Sequence, residues 1–297
     1  MGEGDLRRFP GANRLLVHVD AGRSGRHVRS LTGASDWRRE LADCAGAALI
    51  AAAGVVPLRV ADGWAWPACG TTDLLDALRA ELPGLRLVGA VTPRQPGRQR
   101  LSLLGRAAGT FTVIKLGTGA HGAEQAHGAA ATEGSLRTEA TVLRLLEANP
   151  LPGIATPKVL AAGTVDCPNP SAPGGIEIIE FVATTSVAIG SQRAAIDAPL
   201  RTFAADLAVR LADLPRPVDT DPAAIDPEVV PVHGDLTPWN LRRTRRGLAL
   251  FDWESAGWGA PGSDLDTYRR ACDDVRPTLP GRAARAAQPE RSRRVQR

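Results

Sequence analysis

The sequence predicts an α+β fold in which a β-rich part is followed by a helical part, with a smaller α/β segment in front. Apolar residues recur at helical spacing in residues 35–53 and 72–82, and the pattern changes to short β-like runs from Leu85 onwards. Helical spacing returns at residues 136–148 and 194–214. A chain of 297 residues is long enough to form one large domain or two modest ones.

Residues 1–84 are predicted to form a separate α/β appendage of unknown role. Residues 14–19 have the pattern of a short strand. Ser35 and Asp36 are typical helix N-cap residues, and the helix that follows them is expected to end near Ala53. We find no residue spacing in this segment that indicates catalysis or metal binding.

The middle of the chain is predicted to supply most of a β-sheet and one helix. After the first strands, the Gly- and Ala-rich residues 117–134 indicate a flexible insertion, and Ser135 then opens a helix that continues to Ala148. The expected strands are residues 85–91, 101–104, 111–116, 157–163 and 176–182. The helical pattern of residues 194–214 stops at Pro215.

The densest group of polar residues lies in residues 232–254. Residues 241–250 predict a β-hairpin with its turn at Arg246-Gly247, and such a hairpin brings Asn240 and Asp252 to one end. Oxygen ligands at this spacing suit Mg²⁺, which proteins usually bind through one or two carboxylates together with substrate phosphates. Asp235 is then available to accept a proton from a substrate hydroxyl.

Three motifs in this region resemble the aminoglycoside phosphotransferase and choline kinase branch of the protein-kinase-like fold. They are His-Gly-Asp-Leu-x-Pro-x-Asn at residues 233–240, Asp-Trp-Glu at 252–254 and Gly-x-Pro-x-x-Asp-Leu at 259–265. The resemblance implies that residues 85–275 form a two-lobed kinase-like phosphotransferase domain with a small β-rich lobe and a shortened helical lobe.

The resemblance also implies roles for single residues. Asp235 would be the catalytic base, and Asn240 and Asp252 would hold Mg²⁺ on the phosphates of ATP. Lys115 would bind the nucleotide phosphates and Glu139 would pair with it, although a solvated strand-edge lysine and a surface glutamate near a helix N-terminus remain the alternatives. The backbone of the hinge would meet the adenine edge at Glu180, Phe181, Val182 and Ala183.

The activity that the resemblance implies is transfer of the γ-phosphoryl group of ATP to a hydroxyl of a small molecule. Two departures from the family's pattern leave other interpretations of the function open. The loop expected over the phosphates, residues 92–98, has one glycine, and little ordered chain is expected after Asp252. A nucleotide-binding pseudoenzyme and a C-terminally truncated inactive homologue are therefore the alternatives.

The composition of the sequence indicates which binding partners and which cellular location to expect for this protein. The net charge of +4 comes from residues 276–297, which carry seven arginines and one glutamate and are predicted to be a basic disordered tail. No aromatic residue lies among these arginines, so we expect no nucleic-acid partner. The sequence has no run of eighteen apolar residues and no signal-peptide core at its start, and its four cysteines form no CxxC motif, so a cytoplasmic protein with reduced thiols is expected.

Overall fold

The computed structural model describes residues 6–10, 15–31, 37–55, 78–80, 82–91, 100–118, 123–163, 173–180, 186–187, 193–215 and 229–275. Its strands are β1 (Leu6–Arg8), β2 (Leu15–His18), β3 (Arg86–Val91), β4 (Arg100–Ala107), β5 (Thr110–Thr118), β6 (Ile154–Ala155), β7 (Val159–Gly163), β8 (Pro173–Glu180), β9 (Ser186–Val187), β10 (Val230–Val232), β11 (Leu241–Thr244), β12 (Gly247–Leu250) and β13 (Gly257–Gly259). Its α-helices are α1 (Trp37–Ala53), α2 (Ala123–Ala148), α3 (Arg193–Arg210) and α4 (Ser263–Val275). The 3-10 helical segments are Val19–Leu31, which is interrupted by a kink at Gly22, and Trp253–Ser255.

The main sheet has seven strands in the order β1-β2-β3-β4-β5-β8-β7, and every neighbouring pair is antiparallel. Its first two strands come from the segment predicted to be a separate appendage. Leu15 and Val17 of β2 lie opposite Val91 and Gly89 of β3, so the sheet continues across residue 84. The division of the chain into domains stays a prediction, and the prediction for residues 276–297 lies outside the described residues.

The 3-10 helix Val19–Leu31 and α1 pack on one face of this sheet. They enclose an apolar cluster, called here the N-terminal core, that consists of Phe9, Leu15, Val17, Val28, Ile50, Val55, Val88, Val91 and Leu104. Contact at its centre is close: a Cβ atom added to Gly89 would lie 2.5 Å from Cγ2 of Val28. Glycine at this position therefore lets the two layers meet, because no side chain fits between them.

A second apolar cluster, the C-terminal core, joins α2, α3, the β11–β12 hairpin and α4. As the helical spacing predicted, α3 buries Leu200, Phe203 and Leu207 in it. The hairpin pairs Leu241 with Leu250, while β12 also lies parallel to β6 in a four-stranded sheet of order β6-β12-β11-β9. This arrangement of a large antiparallel sheet followed by a mainly helical part confirms the predicted α+β class.

Two local predictions differ from the structure. Residues 123–134, predicted as part of a flexible insertion, are the first half of α2, which begins at Ala123 rather than near Ser135. Alanine is the best helix former, and the alanines of this stretch outweigh the cost of its two glycines. The hairpin turn lies at Arg245-Arg246, one residue earlier than predicted, and Gly247 already pairs with Thr244.

Among the described residues, no helix combines the length and the apolar character that a membrane span requires.

The loop that follows β10 depends on glycine at residue 234. Gly234 has φ +80, and a Cβ atom placed on it would lie 2.1 Å from the carbonyl oxygen of Ser255. Both the left-handed backbone and the missing side chain are needed for the loop to pass the second 3-10 helix. The backbone of residue 234 is therefore pressed against the segment that follows Asp252.

We expect Gly234→Ala to lower the free energy of unfolding by about 2–4 kcal/mol, because it adds a steric clash to an unfavourable φ. Gly153 is the matched control, since it has φ +71 but nothing within 4 Å of an added Cβ atom. Gly153→Ala should cost only the backbone term of about 1–2 kcal/mol. Chemical denaturation of both variants measures the difference, and equal losses would show that the contact with Ser255 does not constrain the loop.

Candidate active site

The ammonium group of Lys115 lies in a buried ion pair with Glu139. Lys115 projects from β5 and Glu139 from α2, and Nζ is 2.6 Å from each carboxylate oxygen. The two residues are 8% and 0% exposed. A charge at this depth is tolerated only when it is paired, so each side chain fixes the position of the other.

Lys115 also contacts Asp252, which follows β12 in the other half of the molecule. The distance from Nζ to Oδ1 is 2.9 Å. Glu139 also connects the two halves, because its Oε1 accepts the backbone N–H of Trp253 at 3.2 Å. The lysine and the two carboxylates therefore join the main sheet, α2 and the end of the hairpin at a single point.

The backbone of Asp252 turns its carboxylate towards this point. Residue 252 has φ 65 and ψ 59, in the left-handed region that Asp enters more readily than most residues. The preceding strand ends in the fully buried Leu250, and the following Trp253 is also fully buried. Because Leu250 and Trp253 are both fixed in the core, the short segment between them holds the side chain of Asp252 at the cleft between the two halves.

Asp235 and Asn240 are connected on the opposite side of the loop. The Nδ2 group of Asn240 donates to the backbone carbonyl of Asp235 and to its Oδ2, each at 2.9 Å. The tight turn between them is closed by the N–H groups of Asn240 and Leu241, which both donate to the carbonyl of Thr237. Since the amide nitrogen of Asn240 is used in this way, its Oδ1 is the atom that suits a cation.

His233 holds the loop in shape as a neutral imidazole. Burial lowers the pKa of His233, against the opposing influence of Asp264, the Phe251 carbonyl, Asp252 and Asp235. Nδ1 accepts the backbone N–H of Asp235 at 3.2 Å, which leaves the proton on Nε2, 3.0 Å from the carbonyl oxygen of Phe251. The ring also packs 4.5 Å from that of Trp253. His233 thus connects the loop of Asp235 with the segment that carries Asp252.

Asp264 is a site residue to which the sequence analysis gave no role. It lies in the first turn of α4 and is buried, and its two carboxylate oxygens accept the backbone N–H groups of His233 at 2.7 Å and Gly234 at 2.9 Å. The only sequence signal was its place in the third motif, which does not state what the carboxylate binds. Asp264 fixes the backbone immediately before Asp235.

The remaining predicted site residues are only partly described. Glu180 is the last residue of β8 and pairs with Thr112 of β5, so the sequence-predicted hinge begins at the end of this strand. Phe181, Val182 and Ala183 lie outside the described residues, as does the loop of residues 92–98. Within the described part of the chain, no group of three or more His, Cys, Asp or Glu residues could hold a metal ion.

This geometry agrees with the two-lobed kinase-like fold that the sequence predicted. The charged atoms of Lys115 and Asp252 are in contact, so β5 and the end of the β11–β12 hairpin meet at these two residues. The sheet, α2 and the hairpin occur in the predicted order. Within the described residues, α4 follows Trp253–Ser255.

We expect Asp264→Asn to lower the free energy of unfolding by about 2–3 kcal/mol, because one of two charge-assisted hydrogen bonds to buried N–H groups is lost. Asp266 lies in the same first turn but is exposed, so Asp266→Asn should cost less than about 1 kcal/mol. Equal effects of the two substitutions on urea unfolding would contradict the role given to Asp264.

Comparisons with solved structures find similar chains, each at low identity. Amicoumacin kinase hAmiN in complex with AMP-PNP, Ca²⁺ and Ami is 9% identical, with 68% of this chain and 69% of that chain covered and a TM-score of 0.49. Aminoglycoside phosphotransferase APH(3'')-Id from Streptomyces rimosus, in complex with ADP and streptomycin, is 16% identical, with 72% and 88% covered and a TM-score of 0.41. Aminoglycoside phosphotransferase APH(4)-Ia is 11% identical, with 65% and 75% covered and a TM-score of 0.45.

Comparisons by sequence give one family. No protein of curated function matches the chain. The family model described as the phosphotransferase enzyme family, APH, matches residues 190–295. This range contains Asp235, Asn240, Asp252 and Asp264, so the match covers the loop whose geometry is described above. The similarity to this family is therefore limited to residues 190–295 of the chain.

Proposed function

We propose that the chain is an ATP-dependent phosphotransferase that moves the γ-phosphoryl group to a hydroxyl of a small molecule. The observation that carries this proposal is the contact of Lys115 with both Glu139 and Asp252. A cation fixed by a buried carboxylate, next to a second carboxylate on the opposite wall of a cleft, suits a polyanionic donor and its metal ion.

The residues of the cleft fit Mg²⁺ by their chemistry. Asp252 offers carboxylate oxygen and Asn240 offers amide oxygen, and a hard cation that keeps several waters and binds substrate phosphates needs few protein ligands. When bound, Mg²⁺ would neutralise charge on the phosphates of ATP. Lys115 would bind the same phosphates, and Glu139 would hold the ammonium in position.

Asp235 would orient the acceptor hydroxyl and take up its proton. Its backbone is held by Asp264 through the two preceding N–H groups and by His233 through its own N–H, and its Oδ2 accepts from Asn240. Contacts from three residues thus fix the backbone around Asp235, and the contact from Asn240 also fixes its carboxylate. Catalysis of phosphoryl transfer depends mainly on such positioning.

The adenine edge would meet the backbone of Glu180, Phe181, Val182 and Ala183 at the end of β8. The acceptor would be a hydroxylated small molecule, and aminoglycosides, choline, sugars and amino-alcohols form the panel to test. We infer a cytoplasmic location, where ATP and Mg²⁺ are available, and no nucleic-acid partner.

A nucleotide-binding pseudoenzyme is the second candidate. The ion pair of Lys115 with Asp252 favours it, because a carboxylate already neutralised by lysine has less need of a metal ion. Two measurements test these candidates: the first asks whether nucleotide binds in this cleft, and the second separates the enzyme from the pseudoenzyme.

The first concerns nucleotide binding. We expect ATP with Mg²⁺ to raise the melting temperature of the wild type, and Asp252→Ala to abolish the rise, because the variant loses the carboxylate that would hold the metal. Each protein is compared with its own ligand-free baseline, since the substitution also breaks the ion pair with Lys115. Asp266→Asn is the control and should keep the full rise. A rise of the same size in Asp252→Ala would show that nucleotide does not use this cleft.

The second concerns Asp235, which separates the enzyme from the pseudoenzyme. Asp235→Asn keeps the shape and an acceptor for Asn240 but removes the proton-accepting charge. Turnover should fall roughly 10²–10⁴-fold, while the affinity for ATP with Mg²⁺ should stay unchanged. Steady-state kinetics and calorimetry measure the two quantities. A wild type that binds nucleotide but phosphorylates no member of the panel would refute the enzyme and leave the pseudoenzyme.

A further inference from the structure

The 3-10 helix Val19–Leu31 carries arginines at intervals of three residues. A 3-10 helix has three residues per turn, about 6 Å of rise, so side chains at this interval lie above one another. Gly25 and Val28 form the row that faces the sheet, and both are buried. The one acidic residue of the helix, Asp20, lies with its Oδ2 3.7 Å from Nδ1 of His18. The arginine row consists of Arg23, Arg26 and Arg29.

Two more arginines lie at one end of the main sheet. Arg86 of β3 is directly opposite Arg106 of β4, which in turn is opposite Phe111 of β5. Directly opposed side chains share a face of the sheet, with Cβ atoms about 4.5–5.5 Å apart. The central carbon of the Arg106 guanidinium lies 5.6 Å from the centre of the Phe111 ring. Both arginines are exposed, and like charges in opposed positions destabilise a sheet.

The ring of His27 connects the arginines of the helix with those of the sheet. Its centre lies 4.6 Å from that of the Phe111 ring, and its Nε2 accepts from Nε of Arg26 at 3.4 Å. The pKa of this imidazole is lowered by burial and further by the charges of Arg26, Arg29 and Arg106. The ring is therefore neutral near pH 7, and guanidinium groups from two separate elements lie close to it.

The arginine group is defined here as Arg26, Arg29, Arg86 and Arg106. Among the described residues, no carboxylate forms an ion pair with any member of the group. The side-chain hydrogen bonds of the group go instead to the ring of His27, to Sγ of Cys44 at 2.9 Å and to the carbonyl oxygen of Gly109 at 3.3 Å. Lys158, in contrast, pairs with Glu147 at 3.2 Å on the surface of the same molecule. The fold therefore keeps four like charges together without a counter-charge from the described residues.

We propose that the arginine group binds a small ligand that carries two or more phosphate groups. Guanidinium groups bind phosphate oxygens through paired hydrogen bonds, and four cations are compensated only by a multiply charged anion. Because successive arginines of the helix are about 6 Å apart and the others lie on the sheet, a single phosphate group cannot reach all of them. Free polyphosphate compounds and bisphosphorylated lipid head groups share this chemistry.

The arginine group is separate from the candidate active site. Phe111 and Lys115 share a face of β5 but are four residues apart, which is about 13 Å along an extended strand. Phosphate binding at the arginine group therefore does not depend on the proposed phosphotransferase activity.

The test measures the Kd of pyrophosphate for the full-length protein by calorimetry, with EDTA present and at an ionic strength of about 0.15 M, where weak surface attraction is screened. Arg26→Gln removes a charge from the helix, and Arg106→Gln removes one from the sheet. Arg246→Gln removes the same charge from the exposed turn of the β11–β12 hairpin and is the matched control. Citrate, which has carboxylates in place of phosphates, is the control ligand, and circular dichroism verifies that each variant is folded.

We expect Arg26→Gln and Arg106→Gln each to weaken pyrophosphate binding roughly tenfold, since each loses a charge-assisted contact. Arg246→Gln should stay within about twofold of the wild type, because a charge far from the ligand is screened. Citrate should bind more weakly than pyrophosphate. If one of the first two variants did not fold, the other would carry the same comparison.

Flotation with phosphatidylcholine vesicles, with and without phosphatidylinositol 4,5-bisphosphate, identifies the source of the phosphate groups. Flotation of the wild type but not of Arg106→Gln with the phosphorylated lipid assigns the site to a lipid head group. Pyrophosphate binding without flotation assigns it to a free polyphosphate compound.

Three results would overturn the inference. The first is a wild type that binds neither pyrophosphate nor the vesicles. The second is equal affinity of Arg26→Gln, Arg106→Gln and Arg246→Gln for pyrophosphate, which would make the arginine group an ordinary solvated surface. The third is citrate binding as tight as pyrophosphate binding, which would show attraction of any anion rather than a phosphate site.

Discussion

The geometry of the cleft depends on the ion pairs that the buried ammonium group of Lys115 makes. This group lies between two carboxylates that come from separate parts of the chain, Glu139 in α2 and Asp252 after β12. Removing one partner of a buried ion pair leaves an uncompensated charge and typically costs about 3–5 kcal/mol. The position of α2 against β5 and the position of the hairpin against both are therefore coupled. A change at any of these three residues should disturb the geometry of the whole cleft.

A second set of contacts connects this ion-pair cluster to the loop of Asp235. Glu139 accepts the N–H of Trp253, Trp253 packs against His233, and His233 holds the backbone of Asp235. Asp264 reaches the same loop from α4. Most of these contacts use backbone N–H groups, which cannot move without moving the chain. The loop of Asp235 is thus fixed largely through its backbone, by contacts from His233 and Asp264.

Local sequence patterns predicted the hairpin and the helices of the C-terminal core, because their apolar spacing matches the surfaces that the structure buries. The neighbourhood of Lys115, Glu139 and Asp252 followed from motif order. The pairing of β2 with β3 was not predictable in this way, since about seventy residues separate them and no local pattern records which edge a strand joins. The extension of α2 to Ala123 was missed because the glycines of that stretch were given more weight than its alanines. The role of Asp264 depends on backbone N–H groups thirty residues away, which leave no side-chain signal.

The N-terminal segment has a structural consequence for the cleft. Strand β2 pairs with β3, and Val28 packs on Gly89, so the segment covers both an edge and part of a face of the main sheet. That face is the one from which Lys115 projects, and Leu104 is enclosed there by the N-terminal core. The surface that remains beside Lys115 is consequently narrow.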